Sequence, residues 1–354
     1  MDPKVQPLVD GALPLPGGGR GRGVVADRPL APVPTWLLWR LDAAPADLFV
    51  VGAGKPVLYA PRGAPTAPLR DRLARGLVLW AKPLPPDRLV SALLDVLARI
   101  VDARLGSPAG RGAGARSVLA AVYAVAGDGS SVEREATNLR TPDDILGRRA
   151  AAAGLLAAAG ILEPLLADDT VARAVLEAQP GGPTAQAAVV ERSIDGALYA
   201  RLLAGRLGVL GAEPSSKRLL LGAMLVRDLP VLGSAQRRPP HDRHPLEAAE
   251  LLATIVGQGS IGVRLVARHH ERPDGSGHPF GLSRSSLSDL DLVVAAADAV
   301  TGVLPPGSPA RLDPAEAASL VRVVIGRRFP AEIADALAEI VAEFGSSARS
   351  QRPA

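Results

Sequence analysis

Two adjacent histidines, followed by a carboxylate and a glycine-rich turn, are the residues of this chain with the clearest chemical meaning. They open segment 269–279, which reads HHERPDGSGHP. Imidazole nitrogens together with carboxylate oxygens are typical ligands of iron, manganese and similar divalent ions. The order of residue types predicts a metal site or the remains of one. The alternative is that His269 and His270 only close a helix C-terminus, where positive charge is favourable.

Two further candidate ligands stand in the same part of the chain. His244 precedes Pro245, and proline is common in the first turn of a helix, so this histidine is either a residue of the helix start or a ligand. Asp298 lies within the apolar run 293–300. A carboxylate on an apolar helix needs a cation or hydrogen-bond donors, and the sequence leaves open whether its partner is a metal or an arginine.

Helical spacing indicates how the two adjacent histidines are positioned. Ile261, Leu265 and His269 are separated by four residues each and therefore share one face of a predicted helix. His270 follows about 100° further round the same helix. Pro273 is expected to end that helix, so both rings should reach one cavity.

Segment 269–279 resembles the HHExxDGxGYP signature of the HD-GYP family, bacterial proteins that hydrolyse the second messenger cyclic di-GMP. The resemblance covers residues 184–345 and implies an all-α HD-type helical bundle that binds a divalent metal, iron or manganese. By this resemblance the metal ligands are Asp228, His244, His269, His270 and Asp298. Catalysis is assigned to Asp228, His269 and His270. Substrate binding is assigned to Arg272, Asp274, Gly275, Gly277 and Pro279.

Several positions depart from the family pattern. Arg227 stands where the family has the histidine of its His-Asp pair, and Arg192 stands where the family has a histidine on the first helix. Arginine stays protonated and is not a conventional ligand, but its planar fork matches carboxylates well. We therefore predict that Arg192 and Arg227 pair with Asp228 and Asp298 and replace lost metal charge.

Other family residues near the signature are also replaced. The tyrosine of GYP is His278, the glutamate one turn before Arg192 is Ala188, and the lysine after the His-Asp pair is Val231. The family's basic run after Asp298 is absent, and Arg311 is a candidate to compensate for it. These changes predict impaired catalysis.

The pattern of the whole chain predicts a mainly α protein of several parts. Residues 1–35 are rich in proline and glycine and are expected to form a disordered tail. Residues 36–84 read as a small α+β domain with a hairpin around Gly52-Ala53-Gly54-Lys55. Residues 85–180 read as a helical linker region, and 184–345 as the HD-GYP-like domain. A second disordered tail is expected at 346–354.

Composition excludes several classes of function. The 354 residues include no cysteine, which excludes disulfides, thiolate metal sites and cysteine nucleophiles. The net charge is +4 and the arginines are dispersed, which does not indicate nucleic-acid binding. No apolar run is long enough to span a bilayer, and the N-terminus lacks a secretory signal. A cytoplasmic location is expected.

Three functions remain open from the sequence. The first, which we favour, is a catalytically impaired HD-GYP protein that binds cyclic di-GMP or a protein partner such as a GGDEF-domain protein. The second is an active metal-dependent phosphodiesterase, since hydrolysis of a phosphodiester uses bound metal to activate water. The third is a purely structural helical domain without metal, nucleotide or specific partner.

Overall fold

The computed structural model describes most of the chain from residue 13 to residue 350. The described residues are 13–14, 20–21, 24–25, 28–33, 38, 43–52, 55–69, 72–73, 75, 77–81, 85–101, 107–126, 142–164, 166, 169–177, 185–210, 214–232, 243–304 and 313–350. Arg311 lies outside them. The chain divides into two compact units, Met1–Val96 and Leu97–Ala354.

The first unit contains a four-stranded antiparallel sheet. The spatial order of its strands is Ala31–Pro32, Trp80–Ala81, Leu48–Gly52 and Lys55–Ala60, and the last two form the predicted hairpin. Leu38, Leu48 and Leu79 belong to its buried core. The strands of the unit are β1 Leu13–Pro14, β2 Arg20–Gly21, β3 Val24–Val25, β4 Arg28–Pro29, β5 Ala31–Pro32, β6 Leu48–Gly52, β7 Lys55–Ala60 and β8 Trp80–Ala81.

The sheet begins earlier than the sequence suggested. Ala31–Pro32 pairs with Trp80–Ala81, so a tail that runs to residue 35 is wrong. Leu30 is buried in a cluster with Trp80, and the Val33 amide donates to the Leu79 carbonyl. These contacts give the end of a proline-rich segment a buried apolar anchor, which the composition of the segment as a whole does not reveal.

The described residues of the second unit are mostly helical, and residues 268–283 form turns and loops between two of its helices. The helices of the chain are α1 Pro86–Val101, α2 Pro108–Ala126, α3 Pro142–Leu162, α4 Asp169–Glu177, α5 Ala185–Arg206, α6 Pro214–Val226, α7 His244–Val256, α8 Ile261–Ala267, α9 Asp289–Val303, α10 Pro314–Gly326 and α11 Ala331–Ser350. A mainly α chain with a small α+β region near its start is thus confirmed. None of the described helices combines the length and apolarity needed to cross a membrane.

Helices α5 and α9 position the buried charged residues of the second unit. Both pack against each other, and α5 also packs against α6. The α9 run Leu292–Ala297 is buried on all sides, and a helix that is apolar all round belongs in a core. Its alanines let neighbouring helices approach closely, and this brings Asp298 near the end of α6.

Two helix ends differ from the prediction. Helix α8 stops at Ala267, and the Arg268 amide bonds to the Leu265 carbonyl in a tighter final turn. His269 and His270 therefore lie in the turn after the helix, several residues before Pro273. At the C-terminus, α11 continues to Ser350, beyond residue 345, where we expected a tail.

Candidate functional site: a histidine cluster beside a buried arginine

Three histidines meet at one point of the second unit. His244 begins α7, as predicted, and its Nε2 lies 3.1 Å from Nε2 of His269 and 3.1 Å from Nε2 of His270. The ring nitrogens that the three side chains offer all lie within 4.8 Å of one another. Such convergence of imidazole nitrogens is the arrangement that a divalent metal ion requires.

The protonation of two rings follows from their other contacts. Nδ1 of His269 lies 2.6 Å from the Val266 carbonyl, which can only accept, so Nδ1 carries the proton. Nδ1 of His270 lies 2.8 Å from Oδ2 of Asp298 and donates to that carboxylate. Their Nε2 atoms are then free to act as ligands, and the hydrogen bonds at Nδ1 hold each ring in orientation, as outer partners of metal ligands do.

Burial keeps the central histidine neutral. His269 is fully buried, and loss of hydration, with the neighbouring His270 as a further cause, lowers the pKa of His269 to about 3. A neutral imidazole is the form that binds metal.

Asp228 lies on the other side of the histidines. Its Oδ1 is 3.5 Å from Nε2 of His244 and 3.8 Å from Nε2 of His269. Its Oδ2 accepts a hydrogen bond of 3.2 Å from the Ser193 hydroxyl. Burial would raise the pKa of Asp228, but the Arg227 guanidinium and the nearby His244 outweigh it and hold that pKa well below its usual range. The carboxylate is therefore ionised and faces the cluster.

Arg227 is fully buried between two carboxylates. Its Nε lies 3.3 Å from Oδ2 of Asp228 and 3.3 Å from Oδ1 of Asp298. One Nη donates to the carbonyls of Ser193 and Met224, and the other donates to the Arg192 carbonyl. The guanidinium thus occupies the space between the two acidic side chains that the sequence suggested as ligands.

A glycine on α5 makes room for this arginine. A Cβ atom at Gly196 would lie 2.5 Å from one Nη of Arg227 and 2.9 Å from its Cζ. No other side chain fits there without displacement of the guanidinium. Burial of a charged side chain is expensive unless it is paired and hydrogen-bonded, and this position satisfies both conditions.

Asp298 connects the arginine to the histidines. Its Oδ2 accepts from His270 and lies 3.7 Å from an Nη of Arg272. Burial would raise the pKa of Asp298, yet the adjacent His270, His269 and Arg227 hold it well below its usual range. The sequence left open whether Asp298 meets a metal or an arginine, and the structure places two arginines and a histidine beside it.

The segment that follows the histidines is held by a buried carboxylate. Glu271 is fully buried, and its two oxygens accept from the backbone amides of Phe280 and Leu282 at 2.7 and 2.8 Å. Gly277 packs so closely that a Cβ there would clash with the backbone of Glu271 and Arg272. Gly275 has φ +78°, a conformation that glycine adopts readily. The signature residues therefore build a rigid turn.

A cavity of about 570 Å³ opens beside the cluster. Its polar lining includes Asp228, His244, His270 and Asp298, and part of its wall is apolar, with Val324, Ile325 and Phe329. The volume is in the range of small-molecule sites. The histidine cluster is therefore accessible to a ligand of moderate size.

The structure separates the predicted site residues into two groups. Asp228, His244, His269, His270 and Asp298 meet at one centre, with Arg227 between the two aspartates. Arg272 lines the cavity and donates to the Glu271 carbonyl. Asp274, Gly275, Gly277 and Pro279 do not line it, and Asp274 instead accepts from the amide and hydroxyl of Ser276.

The predicted role of Arg192 is wrong. Its side chain is exposed and takes part in none of the ion pairs found among the described residues; only its carbonyl contacts Arg227. Arg192 lies one position before Ser193, whose side chain faces Asp228 instead. On a helix, adjacent residues point about 100° apart, so Arg192 does not point at Asp228 as Ser193 does; it lines the neighbouring cavity instead.

Three positions that shape the site were not predicted from the sequence. Ser193 orients Asp228, Gly196 accommodates Arg227, and Glu271 holds the turn. Gly196 in the middle of helix α5 is the signal that could have been noticed, because glycine is unfavourable there without a packing reason. The partners of Ser193 and Glu271 depend on tertiary contacts.

Comparison with known proteins supports the fold. No family model matches the chain, and no curated protein matches it. A solved structure, Bd1817, an HDG"Y"P protein from Bdellovibrio bacteriovorus, matches with 17% identity and a TM-score of 0.54. The match covers 88% of this chain and 99% of that chain. This chain therefore has the fold of an HD-GYP protein.

Proposed function

We propose that this chain is a catalytically impaired HD-GYP protein of cyclic di-GMP signalling, which binds a ligand or partner instead of hydrolysing it efficiently. The observation that carries the proposal is the Arg227 guanidinium, 3.3 Å from both Asp228 and Asp298. Its positive charge compensates two carboxylates that would otherwise need cations.

The histidine cluster still fits one divalent ion. Nε2 of His269 and of His270 are unprotonated when the rings are neutral, His244 lies between them, and Oδ1 of Asp228 faces the same point. Iron or manganese suits this mixture of imidazole and carboxylate. Such an ion polarises a phosphoryl oxygen and activates water when it is bound.

A second ion meets unfavourable conditions beside the first. The remaining oxygens of Asp228 and Asp298 face Arg227, and a divalent ion there would be repelled by a guanidinium a few ångströms away. Family members rely on two or three ions, so the loss of this half of the centre accounts for the impairment that we propose.

The retained turn favours a role in recognition. Glu271 and Gly277 hold it rigid, while Phe280 at its end is 54% exposed. A rigid turn with an exposed aromatic residue can meet a protein partner with little loss of conformational freedom. We propose a GGDEF-domain protein as this partner, and cyclic di-GMP as the small ligand of the cavity.

The proposal is tested by binding and hydrolysis of cyclic di-GMP in the presence of Mn²⁺ or Fe²⁺. We expect binding detectable by calorimetry and turnover close to the rate without protein. Arg227→His, which recreates the His-Asp pair, is expected to raise turnover; Arg218→His, on the exposed face of α6, is the matched control. Turnover typical of an enzyme, between 1 and about 10³ per second, in the unmodified chain would overturn the proposal.

An active phosphodiesterase is the second candidate. The convergence of three histidines and Asp228 on one point favours it, because one ion at this point would already lie beside the cavity. The same hydrolysis assay decides between the two, since this candidate requires multiple turnovers by the unmodified chain.

A further inference from the structure

The cavity beside the histidine cluster has an unusual concentration of arginine. Four arginines line it, Arg192, Arg272, Arg327 and Arg328, against two aspartates, Asp228 and Asp298. Both aspartates are already compensated, since Arg227 contacts the two of them and His270 donates to Asp298. The lining therefore carries a surplus of positive charge.

Three of these arginines have exposed side chains, and one of them, Arg328, lies near the exposed carboxylate of Asp274. Arg192, Arg327 and Arg328 are exposed, and within the described part of the chain their side chains make no hydrogen bond or ion pair. Arg192 comes from α5, whereas the other two come from the turn between α10 and α11. Arginines from separate elements that face one cavity indicate a shared ligand more strongly than neighbours on one helix do.

Position at a helix end explains only part of this arrangement. Arg327 caps the C-terminus of α10, where a cation is favourable in any protein. That effect does not account for Arg192, which lies in the first half of α5 and faces the same cavity. It also does not explain Arg328, which lines the same cavity as Arg272. Two like charges brought together gain most from an anion between them.

We propose that Arg192, Arg327 and Arg328 form an anion-binding rim that holds a phosphate group of the ligand at the mouth of this cavity. The proposal rests on the proposed function in taking the cavity as the ligand site. Guanidinium groups bind phosphate oxygens in pairs of parallel hydrogen bonds. The apolar wall of Val324, Ile325 and Phe329 then faces the uncharged body of the ligand.

This rim gives the chain a phosphate contact of its own. The position at which the family has a lysine holds Val231 here, and this residue lines the cavity without a charge. A phosphate held at the rim lies between the histidine cluster and solvent. The rim therefore selects phosphate-bearing ligands, a nucleotide phosphodiester or inorganic phosphate, and excludes uncharged nucleosides.

The test compares Arg327→Gln/Arg328→Gln with Lys217→Gln/Arg218→Gln, an adjacent basic pair on α6 that does not line the cavity. Calorimetry in the full chain measures affinity for cyclic di-GMP, pyrophosphate and guanosine. We expect the rim variant to lose roughly 10- to 100-fold in affinity for both phosphate compounds, about 1.4 kcal/mol for each factor of ten. The α6 variant should match the unmodified chain, and guanosine should bind weakly to all three.

Arg192→Gln provides a second test on a separate helix, with an expected loss of about tenfold. Tighter binding of cyclic di-GMP than of pyrophosphate identifies a nucleotide as the source of the phosphate, and the reverse identifies an inorganic anion; both require the rim. Equal phosphate affinity in the rim variant and the α6 variant overturns the proposal, as does absence of phosphate binding by the unmodified chain. Manganese content of the same samples reports separately on the metal site, so failure of the rim and failure of the proposed function are distinguishable.

Discussion

Among the described residues of the second unit are two buried clusters in which one arginine meets two carboxylates, and the two differ in their surroundings. Arg227 pairs with Asp228 and Asp298 beside three histidines and a cavity. Arg116 of α2 pairs with Glu191 and Asp195, both on α5; it also donates to the Val175 carbonyl. Neither acid of the second cluster lines the cavity.

The pKa values of Asp228 and Asp298 are shifted in the opposite direction to that of Asp195. The pKa values of Asp228 and Asp298 lie well below the usual range, because arginine and histidine partners outweigh burial. Burial raises the pKa of Asp195 to about 6, in spite of Arg116. The comparison teaches that the shared ratio of one central arginine to two acids does not by itself fix the charge state of the acids. Additional donors and histidines keep the site acids ionised, and such ionised acids beside a cavity are what ligand chemistry requires.

The largest effect is expected from removal of the site arginine. Arg227→Met keeps much of the side-chain volume but removes the cation that lies between Asp228 and Asp298. Loss of one partner of a buried ion pair typically costs about 3–5 kcal/mol, so urea denaturation should show a decrease of this size in the free energy of unfolding. Arg218→Met, at an exposed position, should change it by less than about 0.5 kcal/mol. A small change in Arg227→Met would mean that the two aspartates are not held by the arginine.

The two clusters are expected to differ in how the cost of removing their arginine depends on pH. Arg116→Met should be destabilising at pH 7 but less so at pH 5, because protonation of Asp195 removes one uncompensated charge. The cost of Arg227→Met should vary less over the same range, since His244, His269 and His270 still lower the pKa values of its partners after the arginine is removed. Parallel denaturation curves at both pH values check this contrast, and equal pH dependence in the two variants would contradict it.

Gly196 lies beside Arg227, and its substitution tests whether the space that it leaves for the guanidinium is needed. Gly196→Ala places a methyl group against the guanidinium and should destabilise by about 1–3 kcal/mol, the usual cost of overpacking. Gly160→Ala is the matched control, because it lies in helix α3 with open space at its Cβ position, and should stabilise by about 0.5–1 kcal/mol. Thermal denaturation compares the two, and an equal effect would show that the guanidinium moves aside freely.

The smallest effect is expected in the pH dependence of stability. The pKa of Asp195 is raised in the folded chain, so its contribution favours folding below about pH 4 and is lost as the pH rises to about 6. The pKa of His269 is lowered to about 3, so its contribution has the opposite sign: stability falls as the pH falls from about 6.5. Asp195→Asn removes the first contribution, and it also removes one of the two carboxylate partners of Arg116.

The Asp195→Asn substitution is expected to make the dependence of stability on pH steeper. Between pH 4 and 6, stability of Asp195→Asn should rise more with pH than that of the unmodified chain. Chemical denaturation at four pH values measures this slope, and an unchanged slope would show that Asp195 is ionised throughout.

The sequence allowed the centre of the site to be predicted, but less of its surroundings. Residue type and order along the chain were sufficient to propose four residues as ligands of one site, namely His244, His269, His270 and Asp298. The pairing of Arg227 followed from the loss of a histidine next to Asp228. The error at Arg192 has a simple cause, because which of two adjacent helix residues faces the core depends on packing. The rim at Arg327 and Arg328 was missed, since two arginines after a helix look like ordinary capping residues until α5 is placed opposite them.

The boundaries of the fold were less predictable for related reasons. The strand at Ala31–Pro32 depends on Trp80, which lies about fifty residues further along the chain, and a local reading of proline content cannot detect that pairing. Helix α8 ends before His269 because its last turn tightens at Arg268. Both errors concern tertiary or local hydrogen bonds, whereas the mainly helical composition of the second unit was evident from periodicity.

Metal content per chain tests the central claim most directly, namely that Arg227 replaces the charge of a metal ion. The chain is expressed in medium supplemented with iron and manganese, and metal is counted by mass spectrometry beside Arg227→His and the control Arg218→His. We predict at most one ion per chain for the unmodified protein and for the control, and a higher content in Arg227→His. Two or more ions per chain in the unmodified protein would contradict the account.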